Sequence, residues 1–315
     1  MNGSGTKENP YEIVTIYDFC SIQNGTESTP LYYKLMNSVD FNDHSTYKLG
    51  YDGSSYRVVD APNTILDGNG YKIRNLVVFG YSRNRAIFTL KEVRNCIFQN
   101  FMIQNLPDEY NGWLFKISRF EKSSVNITLN KSNAEILFIT NTTFYNSVLS
   151  ITGTAERTGI SGLYLPNILN FDHSWLYLDV KTNFWKKDVS SALNNNVLKV
   201  QGRMSYSYIT GKIVETSTPP NPTETVTITF YEMYNSYCAL DIEDQRSSTH
   251  MYQVSGSHTG INFFVTDKIH TAGTAYPWYA PNTNTMKFVK EEDVRTPDYL
   301  PDISFPVNQV VKSNG

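Results

Sequence analysis

Cysteine is scarce: Cys20, Cys96 and Cys238 are three in 315 residues, widely spaced, with no Cys-x-x-Cys and no histidine at ligand spacing. A disulfide framework or structural zinc site is therefore not expected, and the three read as buried thiols in a reduced compartment. Charge is low in both signs, 27 basic residues against 30 acidic, for a formal net charge of −3. A protein that tracks phosphates gathers Lys and Arg on one face, so no nucleic-acid partner is expected. Long apolar runs are missing too. Leu76 to Phe79 and Ile136 to Ile139 are strand-sized, far short of the ~18 residues a spanning helix needs, so no membrane insertion is expected. The start, Met1-Asn2-Gly3-Ser4-Gly5, lacks the basic and apolar regions of an export signal, so no export route is expected from it. The sequons at Asn24, Asn126 and Asn141 carry little weight in a chain so rich in Asn and Thr.

Catalytic signatures are also lacking. His44, His173, His250, His258 and His270 form no His-x-x-x-His or His-Glu-x-x-His, and no nucleophile elbow or phosphate loop occurs. No catalytic residue, metal or cofactor is expected. The turn Leu66-Asp67-Gly68-Asn69-Gly70-Tyr71 has neither the EF-hand spacing nor the β-roll calcium pattern, and it reads as a tight reversal between strands.

What the chain has is aromatics, 22 Tyr, 17 Phe and 4 Trp, with many Thr, Val and Ile. This is a β-forming composition. Between Asn63 and Val180 short apolar segments alternate with Asn, Gly, Ser and Asp, among them Lys72 to Val78, Asn95 to Ile103, Phe144 to Ile151 and Trp175 to Val180. Arg74-Asn75-Leu76-Val77-Val78 returns as Arg94-Asn95-Cys96-Ile97-Phe98, and similar alternations follow at Val125 and Phe144. Steps near 20 residues predict the coils of a parallel β-helix, with Leu76, Cys96, Val125 and Phe144 stacked in one inward ladder; an antiparallel β domain with similarly spaced hairpins is the alternative. The fold class expected is mainly β, a right-handed parallel β-helix (solenoid) with short capping segments. Residues 1–62 form an amino-terminal capping region with a short helix, on which Ile13, Ile16 and Phe19 supply the apolar stripe. Residues 63–216 form the β-helix, 217–290 further β coils or a small second β domain beyond the proline-rich Ser217–Pro222, and 291–315 a carboxyl-terminal capping tail.

The segment Gly5-Thr6-Lys7-Glu8-Asn9-Pro10-Tyr11, then Tyr17-Asp18-Phe19 and Tyr32-Tyr33-Lys34-Leu35-Met36-Asn37-Ser38-Val39-Asp40-Phe41-Asn42, resembles the opening of β-helical surface and phage tail-type proteins of gut Bacteroidales and their phages. Leu66 to Ile73 is similar to that family's entry into its first coils. Glu291 to Arg295 and Tyr299 to Pro306 resemble its closing segment, with Ser304 where Gly is usual. The resemblance implies the β-helix. With no export signal it also implies a Bacteroides phage virion protein of crAss-like type, assembled in the bacterial host cytoplasm, a structural or receptor-facing part of a tail, fibre or spike. Other virion proteins, identical chains in a homotrimer and a host surface glycan are the partners this implies. The scaffold also serves polysaccharide-cleaving enzymes and bacterial cell-surface adhesins.

Within Asp172-His173-Ser174-Trp175-Leu176-Tyr177-Leu178-Asp179-Val180, alternation turns Leu176, Leu178 and Val180 inward and leaves Trp175, Tyr177 and Asp179 on an outer face. Outward aromatics beside a carboxylate suit a sugar-binding surface, because rings stack on pyranose faces and carboxylates accept hydroxyl hydrogens. These three are the candidate glycan- or partner-binding residues. Asp241 and Glu243 share a face of Leu240 to Gln245 and could serve as a carboxylate pair or a divalent-ion site, and Asp172, Asp179 or that pair beside a basic residue in an open groove would suit polysaccharide cleavage. Trp113, Trp175, Trp185 and Trp278 are candidates for lateral association with other chains.

Overall fold

The computed structural model describes residues 1–43, 50–51, 56–57, 59–79, 86–104, 112–130, 136–155, 167–182, 195–215, 225–234, 236–244, 250–255, 263–266, 269–271, 275–279 and 286–289, and the side chains of part of these. They build two large parallel sheets. The first runs Tyr11–Ile13, Leu31–Leu35, Val59–Asp67, Ala86–Arg94, Gly112–Glu121, Ile136–Tyr145, Asn167–Asp172, Asn195–Ser205, Thr225–Tyr234, His250–Ser255 and Ala275–Tyr279. The central strands of the second are Ile97–Gln104, Ser124–Asn130, Val148–Ala155, Trp175–Thr182, Tyr208–Glu215 and Ser236–Asp244. From Ala86 to Asp244 the chain alternates between the sheets, and each strand lies parallel to the one laid down a repeat earlier. The antiparallel pairing among the described residues is the short Gly50–Tyr51 with Tyr56–Arg57.

Period-two alternation supplies the core. In the first sheet, register aligns Tyr33, Leu66, Val93, Phe120, Phe144, Phe171 and Met204, every one buried. In the second it aligns Ile73, Phe98, Val125, Leu149, Leu176 and Ile209, buried likewise. Phe98 of the second sheet meets Phe115 of the first at 5.5 Å, and Phe120 stacks on Phe144 at 5.1 Å, so the two inner faces share one aromatic core. Ring pairs in such geometry add about 0.5–1.5 kcal/mol each beyond area burial.

The expected ladder is corrected by this register. Leu76, Cys96, Val125 and Phe144 are all buried, but Val125 belongs to the second sheet, Phe144 to the first, and Cys96 to the corner between them. Each repeat holds one strand from each sheet, so steps of about 20 residues fall short of a turn and land on a different wall. The true spacing is that of the corner residues Asn95, Lys122, Asn146, His173 and Tyr206, all left-handed with φ of 46–49° and 27, 24, 27 and 33 residues apart. The same corner cuts the expected single strand Phe144 to Ile151 at Asn146. Asn75 is left-handed as well, at 61°, which is why its segment looks like that around Asn95, though it interrupts the second sheet instead of joining the two.

Beyond each left-handed residue the corner is closed by a small buried side chain: Cys96, Ser123, Ser147, Ser174 and Ser207. Each serine hydroxyl donates to the carbonyl two residues before it, Ser147 to Tyr145 at 2.8 Å and Ser174 to Asp172 at 2.7 Å. It also accepts the amide of the preceding repeat: Cys96 to Ser123, Ser123 to Ser147, Ser147 to Ser174 and Ser174 to Ser207, at 3.0–3.3 Å. A column of hydroxyls thus satisfies buried amides that the tight turn takes out of the sheet ladders. At the first such corner no side chain fits, because a Cβ on Gly68 would lie 2.5 Å from Cys96; here Asn69 and Gly70 are left-handed, as expected of the turn.

The amino-terminal region is part of the sheet as well as a cap. Tyr11–Ile13 pairs in parallel with Leu31–Leu35, which in turn pairs in parallel with Val59–Asp67. The expected short helix is Ile16–Cys20, opened by a capping box in which Asp18 and Thr15 hold each other's backbone amides. Ile16 and Phe19 are buried, with Phe19 6.1 Å from both Phe41 and Phe88, so the helix seats on the core; Ile13 is buried from the preceding strand. At the other end, strands between Thr225 and Val289 continue both sheets, and the tail at 291–315 lies outside the described residues.

Two outcomes follow from the corner. Ser147→Ala strands the Ser123 amide in a dry environment and lowers stability by about 2 kcal/mol, read by chemical denaturation. Burial, with the Asp67 charge behind it, pushes the Cys96 thiol far up, so little thiolate forms; iodoacetamide with peptide mapping should label Cys96 only after unfolding.

Candidate outer-face site

The strand Trp175–Thr182 carries the expected alternation: Leu176, Leu178 and Val180 are buried, Trp175 and Tyr177 half-buried, and Asp179 exposed. The indole Nε1 of Trp175 donates to Thr210 Oγ1 at 2.7 Å, and its ring meets Tyr177 edge to face at 6.0 Å and 69°. Thr210 lies in register beside Tyr177 on the next strand, so the hydrogen bond crosses diagonally and holds the indole against the sheet. A ring fixed this way loses little rotamer freedom on binding. Burial, and behind it the Asp179 charge, raise the Tyr177 phenol above its ordinary range, which keeps it protonated and able to donate.

The rows around these side chains are set by backbone register. Asp179 stands between Thr152 and Lys212, and Lys212 beside Asp241. Asp241 and Glu243, on Ser236–Asp244, therefore occupy the same outer rows as Asp179 and Lys181, two strands away. Tyr208 and Tyr237 continue the row of Trp175. The side chains of Asp241, Glu243, Tyr208 and Tyr237 lie outside the described residues, as do those of Trp113 and Trp278 and all of Trp185. Ser150, in the row of Tyr177, is fully buried and its hydroxyl has no hydrogen-bond partner.

Asp172 does not join Asp179. It sits before the corner, where its Oδ1 accepts from Ser205 Oγ at 2.6 Å and lies 3.0 Å from His173 Nδ1. Sequence reading passed over the rings of this corner: His173 stacks on Tyr206 at 4.8 Å and meets Tyr145 edge-on at 6.2 Å. The Arg119 guanidinium lies 5.1 Å from the Tyr145 centroid and 3.1 Å from Glu121. The signal that could have found them is the recurring two-residue pattern Lys122-Ser123, Asn146-Ser147, His173-Ser174 and Tyr206-Ser207. Among the described residues no three His, Cys, Asp or Glu side chains gather as metal ligands.

No family model matches the chain, and no solved structure matches it. Halomucin of Haloquadratum walsbyi is similar, 32% identical over 107 residues, which is 33% of this chain and 1% of halomucin. The chain thus spans about 1% of the length of the curated relative it matches.

Removing the Asp179 charge tests the site's electrostatics. In Asp179→Asn the Tyr177 pKa should fall part of the way back and no further, since burial is the larger cause; tyrosine-labelled NMR titration reads the shift.

Proposed function

We propose that the two sheets are walls of a right-handed parallel β-helix, and that the protein is a non-enzymatic structural or receptor-facing component of a bacteriophage virion that contacts a host surface glycan through Trp175, Tyr177 and Asp179. The observation that carries the glycan contact is the locked Trp175–Tyr177 pair beside an exposed carboxylate on the face of a continuous sheet. Aromatic rings take the C–H faces of a sugar, while the Tyr177 hydroxyl and Asp179 carboxylate exchange hydrogen bonds with its hydroxyls. Placement in a virion rests on the resemblance of both chain ends to β-helical phage and surface proteins. Other virion proteins or identical chains, as in a homotrimer, would then adjoin it, after assembly in the host cytoplasm.

A second reading, polysaccharide cleavage, is favoured by the row Asp179, Lys212, Asp241. It sets two acidic residues two strand spacings apart, about 10 Å by backbone, with a basic residue on the strand between them.

One experiment addresses both. Purified protein should be retarded in native gels containing Bacteroides capsular polysaccharide, and Trp175→Ala should weaken retention at least tenfold. Unchanged retention in Trp175→Ala overturns the assigned contact. Reducing-end release that vanishes in Asp179→Asn would replace binding with cleavage.

A further inference from the structure

The left-handed corner position is the least hospitable place for a large side chain. Gly and Asn accept positive φ most readily and His less so, whereas for a bulky residue such as Tyr it is an outlier. Two of the five equivalent positions follow that rule, Asn95 and Asn146; Lys122, His173 and Tyr206 occupy the other three at φ 47°, 46° and 47°, and the last two bring rings. Nothing in the core requires their rings. The His173 side chain is 37% exposed and Tyr206 39%, and the two rings stack on each other at 4.8 Å and 22°. Partly exposed residues held in a sparsely populated backbone region are expected to gather where a ligand binds.

We propose that His173 and Tyr206 are ligand-stacking residues, forming a corner platform that binds a further sugar ring of the same glycan held by Trp175 and Tyr177. The proposal rests on the glycan reading of that strand face and extends it: His173 stands two residues before Trp175, so the platform and the face adjoin along one chain segment. The chemistry around the rings fits a neutral or hydroxyl-rich ring better than a cation. The Tyr145 end is already taken by Arg119, whose positive charge opposes a second cation there. The Asp172 carboxylate, fixed by Ser205 at 2.6 Å and close to His173, stands beside the stack as an acceptor for sugar hydroxyls. His173 and Tyr206 stand on neighbouring repeats with their rings 4.8 Å apart, about one strand spacing, so the backbone ladder holds the platform.

The test exploits the strain. Asparagine suits the corner, so His173→Asn and Tyr206→Asn should leave the melting temperature unchanged or raise it while removing the rings. Binding is read on an array of immobilised neutral hexose, N-acetylhexosamine and uronate oligosaccharides, with wild type, the two asparagine variants and Trp175→Ala/Tyr177→Ala compared on the full chain. The expected result is at least a tenfold loss in each asparagine variant, larger for longer oligosaccharides. Binding within twofold of wild type in both, with loss confined to Trp175→Ala/Tyr177→Ala, overturns the platform and leaves the strand-face reading standing. Loss confined to the asparagine variants sustains the platform and overturns the strand-face contact. A marked fall in melting temperature in the asparagine variants assigns the rings to the fold and overturns the proposal, as does a wild-type protein that binds no member of the array.

Discussion

Pairing of each strand with its equivalent one repeat away is the constraint on which the rest of this molecule depends. A parallel ladder satisfies the amides of the flat walls, but it cannot reach those at the corner, where the backbone turns through a left-handed residue. There the fold uses serine. One hydroxyl donates to its own strand and accepts from the preceding repeat, so Ser123, Ser147, Ser174 and Ser207 complete the hydrogen-bond network where the sheets leave it open. Because the corners from Ser123 to Ser207 meet this demand in the same way, repeat length can vary from 24 to 33 residues while the corner stays in register.

That arrangement separates what the core needs from what the surface can offer. Inward positions are committed to aliphatic and phenyl side chains packed between two walls, and register aligns them without regard to what stands on the outside. Outward positions are free to differ from strand to strand, yet they inherit the same alignment. Residues far apart in sequence, such as Asp179, Lys212 and Asp241, come into one row for that reason alone. A sheet face of this kind is a rigid template on which polar and aromatic groups are held at fixed intervals, and rigidity of the supporting elements is what lowers the entropic cost of recognition.

The corner adds a second surface under different rules. Its outer residue must tolerate positive φ, and the sterically favoured asparagine at two repeats gives way to lysine, histidine and tyrosine at the others. The stacked His173 and Tyr206 are therefore local exceptions to the propensity that the turn imposes, in a fold whose other levels agree with one another.

Local chemistry by itself determined a good deal here. Alternation on Trp175 to Val180 assigned inner and outer faces correctly because the period of a strand is two whatever it pairs with, and the turn at Asp67 to Gly70 was legible because only glycine and asparagine accept its dihedrals. The apolar stripe of the first helix was readable for the same reason, although Ile13 went to the neighbouring strand. Tertiary structure alone decided which strands are neighbours. Two Arg-Asn segments alike in sequence serve different turns, and buried residues about 20 positions apart line different walls, because repeat length depends on how many residues each corner and loop consume. Pairing across a repeat is set by backbone register, a long-range property that no local window contains; the aromatic corner and the charged row came into view only once that register was known.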